Sequence, residues 1–157
     1  MWRSSLHDSG VDPTVRRILC PIDLSERALE VVDWAIHLAE EHDSEVVLLH
    51  AYHLPVELQQ IEGAFIPDPF WAEVRAEAER GLHPYADRVR AAGLAATEVT
   101  REGPPAQVTL DEAERLHADM IVIGAAGRHA LRDLLRGRIT EHVVAHASCP
   151  VLTVKTH

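Results

Sequence analysis

The chain has little cysteine: two residues in 157, Cys20 and Cys149. Two thiols so far apart are not a disulfide framework. Each stands beside an apolar run and directly before a proline, so both are expected as buried or part-buried free thiols. Basic residues are also scarce, 15 lysines and arginines against 25 acids, for a net charge of −10. A nucleic-acid binder leans the other way because it must neutralise phosphates. The acidity is therefore read as a solubility feature with no nucleic-acid partner. No apolar run approaches the ~20 residues of a membrane-spanning helix, so no membrane partner is expected. The opening MWRSSLHDSGVDP lacks the apolar centre of a signal peptide. The expectation is a cytoplasmic protein with a flexible tail over residues 1–14 and one domain over 15–157. GxxxxGK followed by Ser or Thr is missing, and so is GxGxxG after the first strand, which sets aside P-loop and NAD(P) chemistry. No Ser–His–acid or Cys–His layout, internal repeat or low-complexity tract stands out, and no catalytic residue is assigned.

What is present is a steady alternation of apolar patterns, within an apolar share of 46% that suits a globular domain. VRRILCPI (15–22) reads as a strand. Ser25 reads as the N-cap of a helix carrying Ala28, Val31, Val32, Ala35, Leu38 and Ala39 at helical spacing to about His42. EVVLLHAY (45–52) is a second strand. Residues 53–69 have no period and carry Pro55, Gly63, Pro67 and Pro69; a loop this long is often functional or mobile. Residues 70–92 are helical in pattern, but Gly81 and Pro84 predict a kink or two shorter helices. LAATEVT (94–100) is a third strand. A helix then runs from Gly103-Pro104-Pro105 to about His117, and MIVI (120–123) is the fourth strand. The last helix is expected from about Arg138 to Ala147, and the fifth strand over 150–154. Strands alternating with helices give an α/β fold, a parallel sheet covered on both faces. In such a sheet ligands bind beyond the carboxyl ends of the strands where strand order reverses. That places the site where the first strand ends, at Pro21, Ile22 and Asp23, and where the fourth ends, at Gly124.

GAAGRHALRDLLRGRIT (124–140) begins at that point. Gly124 and Gly127 permit positive φ and close approach of a ligand to the backbone. Gly137 is expected just before the last helix, whose first amides, Arg138 to Thr140, would then form an anion site. Arg128, Arg132 and Arg136 would share a helical face, and arginine suits phosphate. From these residues alone, plain turns and a solvated arginine face are an equal reading.

The spacing Gly124-x2-Gly127-x9-Gly137, set between MIVIGAAGR and ITEHVVAHASCPVLTV, resembles the signature of the universal stress protein family. RRILCPIDLSERALEVVDWAIHLAE and EVVLLHAY resemble that family's first strand, helix and second strand, and the likeness covers about residues 15–155. It implies a five-stranded parallel sheet of order 3-2-1-4-5, Rossmann-like and doubly wound, that binds ATP in some members, here with Mg²⁺ carried on the phosphates. Carried over by position, Asp23 corresponds to the acid near base and ribose, with Pro21 and Ile22 beside it. Ala51 and Ile123 border the adenine. Gly124, Gly127 and Gly137 form the phosphate loop, with Arg128, Arg138, Ile139 and Thr140 next to it. Arg138 departs from the Ser or Thr that usually follows the third glycine; it either meets phosphate or fills its place. The resemblance also implies a homodimer through the last strand, with Val151, Leu152 and Val154 at an open sheet edge.

These readings converge on an ATP-binding regulatory stress-response module. The alternatives are a dimeric interaction module without nucleotide, and a slow ATPase; with no lysine in the loop and no evident base to position water, efficient hydrolysis is not expected. Eleven histidines raise a metal reading, but His142 with His146, and His50 with His53, each lack a third ligand. His146 is expected to brace the turn into the last strand.

Overall fold

The computed structural model describes residues 14–53, 62–63, 65–125 and 133–156, with backbone alone for 133–137. Residues 1–13 of the expected tail, and residues 54–61 and 64 of the 53–69 loop, therefore lie outside the described residues. The elements run β1 (Arg17–Pro21), α1 (Ala28–His42), β2 (Glu45–Tyr52), α2 (Asp68–Ala91), β3 (Ala96–Glu102), α3 (Pro105–Arg115), β4 (Met120–Ala125), α4 (Asp133–His146) and β5 (Val151–Lys155). The strands form one parallel sheet of order β3-β2-β1-β4-β5.

Period-2 alternation within unbroken apolar strands sorts side chains into two cores. Ile18, Cys20, Val46, Leu48 and Val122 pack on one face against Val31, Val32, Ala35 and Ala39 of α1 and Leu82, Tyr85, Ala86 and Val89 of α2. Leu19, Val47, Leu49, Ile121 and Ile123 pack on the other against Val108 and Ala113 of α3 and Val143 of α4. Full burial of each such aliphatic side chain contributes about 1.5–3 kcal/mol. Among the described residues, no helix is long and apolar enough to cross a membrane.

The base of β1 is pinned by polar groups. The Asp119 carboxylate accepts from the amides of Arg16 and Arg17, both at 2.9 Å. The buried Ser44 hydroxyl donates to the Val15 carbonyl (2.6 Å). From that end the strands part unevenly. β1 is registered with β2 along five pairs, Arg17↔Glu45 to Pro21↔Leu49. With β4 it has two, Ile18↔Met120 and Leu19↔Ile121. The sheet opens beyond Leu19, and a crevice begins there.

Four sequence expectations change. Ser25 is not a helix N-cap: α1 starts at Ala28, because the Ser25 amide and hydroxyl are both taken by Asp23 Oδ1 (3.1 and 2.6 Å). α2 is one helix through Gly81 and Pro84, which overturns the alternative of two shorter helices; its buried face of Ala78, Leu82, Tyr85, Ala86 and Val89 outweighs the local cost of the two breakers. β3 begins two residues late, since Leu94 N–H still bonds the Val89 carbonyl (3.4 Å) to close α2. Finally, α4 begins at Asp133, so Gly137 lies inside it. One glycine costs a helix about 1 kcal/mol relative to alanine, too little to end it.

Candidate functional site

A cavity of about 300 Å³ lies at the carboxyl end of the sheet, the low end of ligand-pocket volumes. It occupies the crevice between β1 and β4, as the switch-point rule requires. Its β1 wall is Pro21, Ile22 and Asp23; β2 adds Leu49, His50 and Ala51, and His53 follows. Its β4 wall is Ile123, Gly124 and Ala125, backed by Ile139 and Thr140 of α4. Ser25 and Arg27 ahead of α1, Ala28 and Val31 of α1, Pro105 and Thr109 of α3, and Thr156 complete it. The lining is chiefly apolar, with polar groups spread among it.

Local chemistry shapes each wall. The Ile22 amide donates to the Leu49 carbonyl (2.8 Å), extending the β1–β2 ladder past the end of β1. His50 Nδ1 lies 2.9 Å from the Ile22 carbonyl. A carbonyl only accepts, so Nδ1 carries the proton; in the neutral ring Nε2 is the acceptor. Asp23, exposed, curls back onto Ser25 in a tight turn. On the β4 side the buried Thr140 hydroxyl donates to the Gly124 carbonyl (2.8 Å), tying α4 to the strand end. A Cβ on Gly124 would stand 3.1 Å from Val31 Cγ2, so α1 lies close over the strand there. The Thr109 hydroxyl is likewise committed as a donor, to the Pro105 carbonyl (2.7 Å). Toward a ligand, both threonines therefore offer lone pairs.

Of the sequence-derived site residues, the structure brings together Pro21, Ile22, Asp23, Ala51, Ile123, Gly124, Ile139 and Thr140. Arg138 is exposed and is not part of the lining. Gly127 and Arg128 lie outside the described residues, as does Arg132; for Gly137 and Arg136 the backbone is described, in α4. With α4 starting at Asp133, the amides of 138–140 are helix interior and are not the free helix start expected of them. Sequence reasoning missed Ser25, Arg27, His50, His53, Thr109 and Thr156 as lining residues. His50 and His53 straddle the end of a strand, and that position was signal enough.

Outside the site, Cys20 is buried and free, its thiol pushed up to about 12 by burial. Cys149 is free and half-buried. Among the described residues no group of three or more His, Cys, Asp and Glu could hold a metal ion. His142 and His146 stack at 4.2 Å. His146 Nδ1 donates to the His142 carbonyl (2.9 Å) in its own helix, so it does not brace the last turn.

Residues 14–155 match the profile of the Universal stress protein family. The chain is 28% identical over 145 residues to the universal stress protein YxiE of Bacillus subtilis, covering 88% of this chain and 98% of that one. It is 34% identical over 147 residues to a universal stress protein of Thermus aquaticus, covering 89% and 98%. Among solved structures, a universal stress protein in complex with cAMP superposes with a TM-score of 0.71 at 23% identity, over 92% of this chain and 99% of that one. The universal stress protein from Archaeoglobus fulgidus in complex with dAMP gives 0.66 at 23%, over 90% and 99%.

Proposed function

The chain belongs to the universal stress protein family, and from that premise we propose that it binds an adenine nucleotide, ATP in the cytoplasm, as a regulatory module and not as an efficient enzyme. The observation that carries this reading is the apolar crevice opened where β1 and β4 part, with the Asp23 carboxylate at its rim. A flat base suits walls made of Ala51 and Ile123, and the Asp23 carboxylate accepts from sugar hydroxyls. Gly127, Arg128 and the Gly137–Thr140 segment, which follow Gly124 in the chain, are the residues assigned to the phosphates, with Mg²⁺ carried on them. The volume fits the nucleoside end, so the triphosphate extends outward past Arg138. The neighbours solved with cAMP and dAMP support an adenine nucleotide. Pairing of two chains through the backbone edge of β5 belongs to the same reading. There Val151 and Leu152 are part-buried, and Val154, at 4% exposure, already serves the core.

One observation favours a second reading. The early start of α4 removes the helix-start amides at 138–140 that would hold a triphosphate. An interaction module of the same fold needs no such amides. Calorimetric unfolding with adenosine, AMP and Mg·ATP separates the two. A ligand at about 100 times its Kd stabilises by about 2.7 kcal/mol. A shift with AMP or Mg·ATP is expected and, as a control, none with GTP; no shift with adenosine, AMP or Mg·ATP at millimolar concentration overturns nucleotide binding.

A further inference from the structure

Asp23 is carried on a turn closed from within by the Ser25 amide and hydroxyl on Asp23 Oδ1 and by the Ala28 amide on the Ser25 carbonyl (3.0 Å), yet it holds one strained residue. Leu24 sits at φ +60, a left-handed conformation that leucine rarely adopts. Contacts from outside the turn add to those within it in holding that conformation. Two residues of α2, four apart and so on one face, are in place to do so. Gly81 leaves a hollow on the helix that receives the Leu24 side chain. A Cβ at that position would stand 2.5 Å from Leu24 Cδ1, with Cγ and Cδ2 at 3.5 and 3.6 Å. One turn later, the phenol of Tyr85 donates to the Ser25 carbonyl (2.8 Å). Ser25 in turn gives its amide and hydroxyl to Asp23 Oδ1. The contacts form a chain from α2 through Leu24 and Ser25 to the carboxylate. Asp23 and Ser25 line the cavity, whereas Leu24, Gly81 and Tyr85 do not.

We propose that Gly81 and Tyr85 are positioning residues for the nucleotide site, fixing the Asp23 carboxylate at its rim through Leu24 and Ser25 without touching the ligand. This rests on the nucleotide reading for its ligand, although the clamp itself does not need one. It gives Gly81 a purpose that helix propensity denies it: alanine would favour the helix, but its methyl group would occupy the space of the leucine. Burial, and after it the carboxylates of Asp23 and Glu26, raise the phenol pKa of Tyr85 and keep it a donor.

The test uses the full chain with Gly81→Ala, Tyr85→Phe and the double variant Gly81→Ala/Leu24→Ala, titrated with AMP by calorimetry. Amide hydrogen exchange at Ser25 is followed in ligand-free protein. Gly81→Ala is expected to weaken AMP binding about tenfold, the loss of one hydrogen bond to a charged group. Tyr85→Phe, which removes a single hydroxyl, is expected to weaken it several-fold and to speed exchange at Ser25. The double variant, relieved of the Cδ1 contact, should bind AMP more tightly than Gly81→Ala alone, with every variant titrated well below its unfolding midpoint so that a general loss of stability does not enter the comparison. If wild type binds AMP and all three variants match it within about twofold, the proposal is overturned. If wild type does not bind AMP, the nucleotide reading fails and the exchange data decide: faster exchange in Tyr85→Phe upholds the clamp, and unchanged exchange overturns it.

Discussion

The two walls of the crevice are built differently. On the β1 side the chain is held after the strand ends by contacts from two elements: the Leu49 carbonyl and the His50 ring of β2 on Ile22, and Tyr85 with Gly81 of α2. On the β4 side, among the described residues, the strand end is held by its ladder with β5, through Gly124↔Val154 and Ala125↔Lys155, by the Thr140 hydroxyl at Gly124 and by close packing on Val31. The β1 wall thus presents a fixed carboxylate, and the β4 wall presents backbone. On the proposed nucleotide reading, a positioned carboxylate gives the β1 wall most of the affinity and leaves the β4 wall less.

Asp23→Ala tests the β1 wall and carries the largest expected effect. Losing a hydrogen bond to a charged acceptor costs about 1.5–3 kcal/mol, so AMP affinity should fall roughly ten- to hundredfold by calorimetric titration. A loss under about threefold would move the weight to the other wall. Thr140→Val tests the β4 wall. It leaves the Gly124 carbonyl without its hydroxyl partner and should lower unfolding stability by about 1–3 kcal/mol, read as a shifted urea midpoint at unchanged slope.

Acid probes the α3 wall, which reaches the cavity through Thr109. One turn on, buried Glu112 accepts from Arg115 and Arg101. Burial acts to raise its pKa, but the bonds from the two arginines outweigh burial and hold it below the ordinary 4.5. A carboxyl lowered on folding stabilises above its unfolded pKa and loses that contribution as pH falls through the folded value. Stability should therefore decline below about pH 4.5, and less steeply in Glu112→Gln, as measured by urea titrations at stepped pH. The smallest effect is expected from Arg138→Ser. An exposed cation outside the lining is worth about 1 kcal/mol or less, so ATP affinity should change by under about fivefold and AMP affinity not at all. A larger change confined to ATP would show that the β4 side grips phosphate.

The sequence made the sheet and the mouth of the site legible because both follow from local pattern. Unbroken apolar strands separated by helical periods dictate a parallel sheet, and its strand ends dictate where Asp23 and Gly124 meet. Gly124 reads in the sequence as a residue permitting positive φ and the approach of a ligand; its backbone is not left-handed, and what a Cβ there would meet is the Val31 side chain of α1. The clamp on Asp23 was not legible. Tyr85 is 60 residues from Ser25, and Gly81 read as a helix breaker when it is the socket for Leu24. The start of α4 was misread for a related reason: a glycine flanked by arginines looks like an end, although its helical penalty is small.

A sheet that is oily on both sides has a bookkeeping problem of its own. Sliding β1 by one residue would exchange Ile18 and Cys20 with Leu19 between the two cores, and oil would still meet oil. Hydrophobicity alone does not forbid that slip, as it would in a sheet with one wet face. The phase is kept instead by Asp119 gripping two consecutive amides and by Ser44 holding the Val15 carbonyl. These anchors sit beside the two rungs that join β1 to β4, like the fixed end of a zip. The far end is therefore free to gape without loss of alignment, and the opening for a guest is a by-product of fastening the strands at one end.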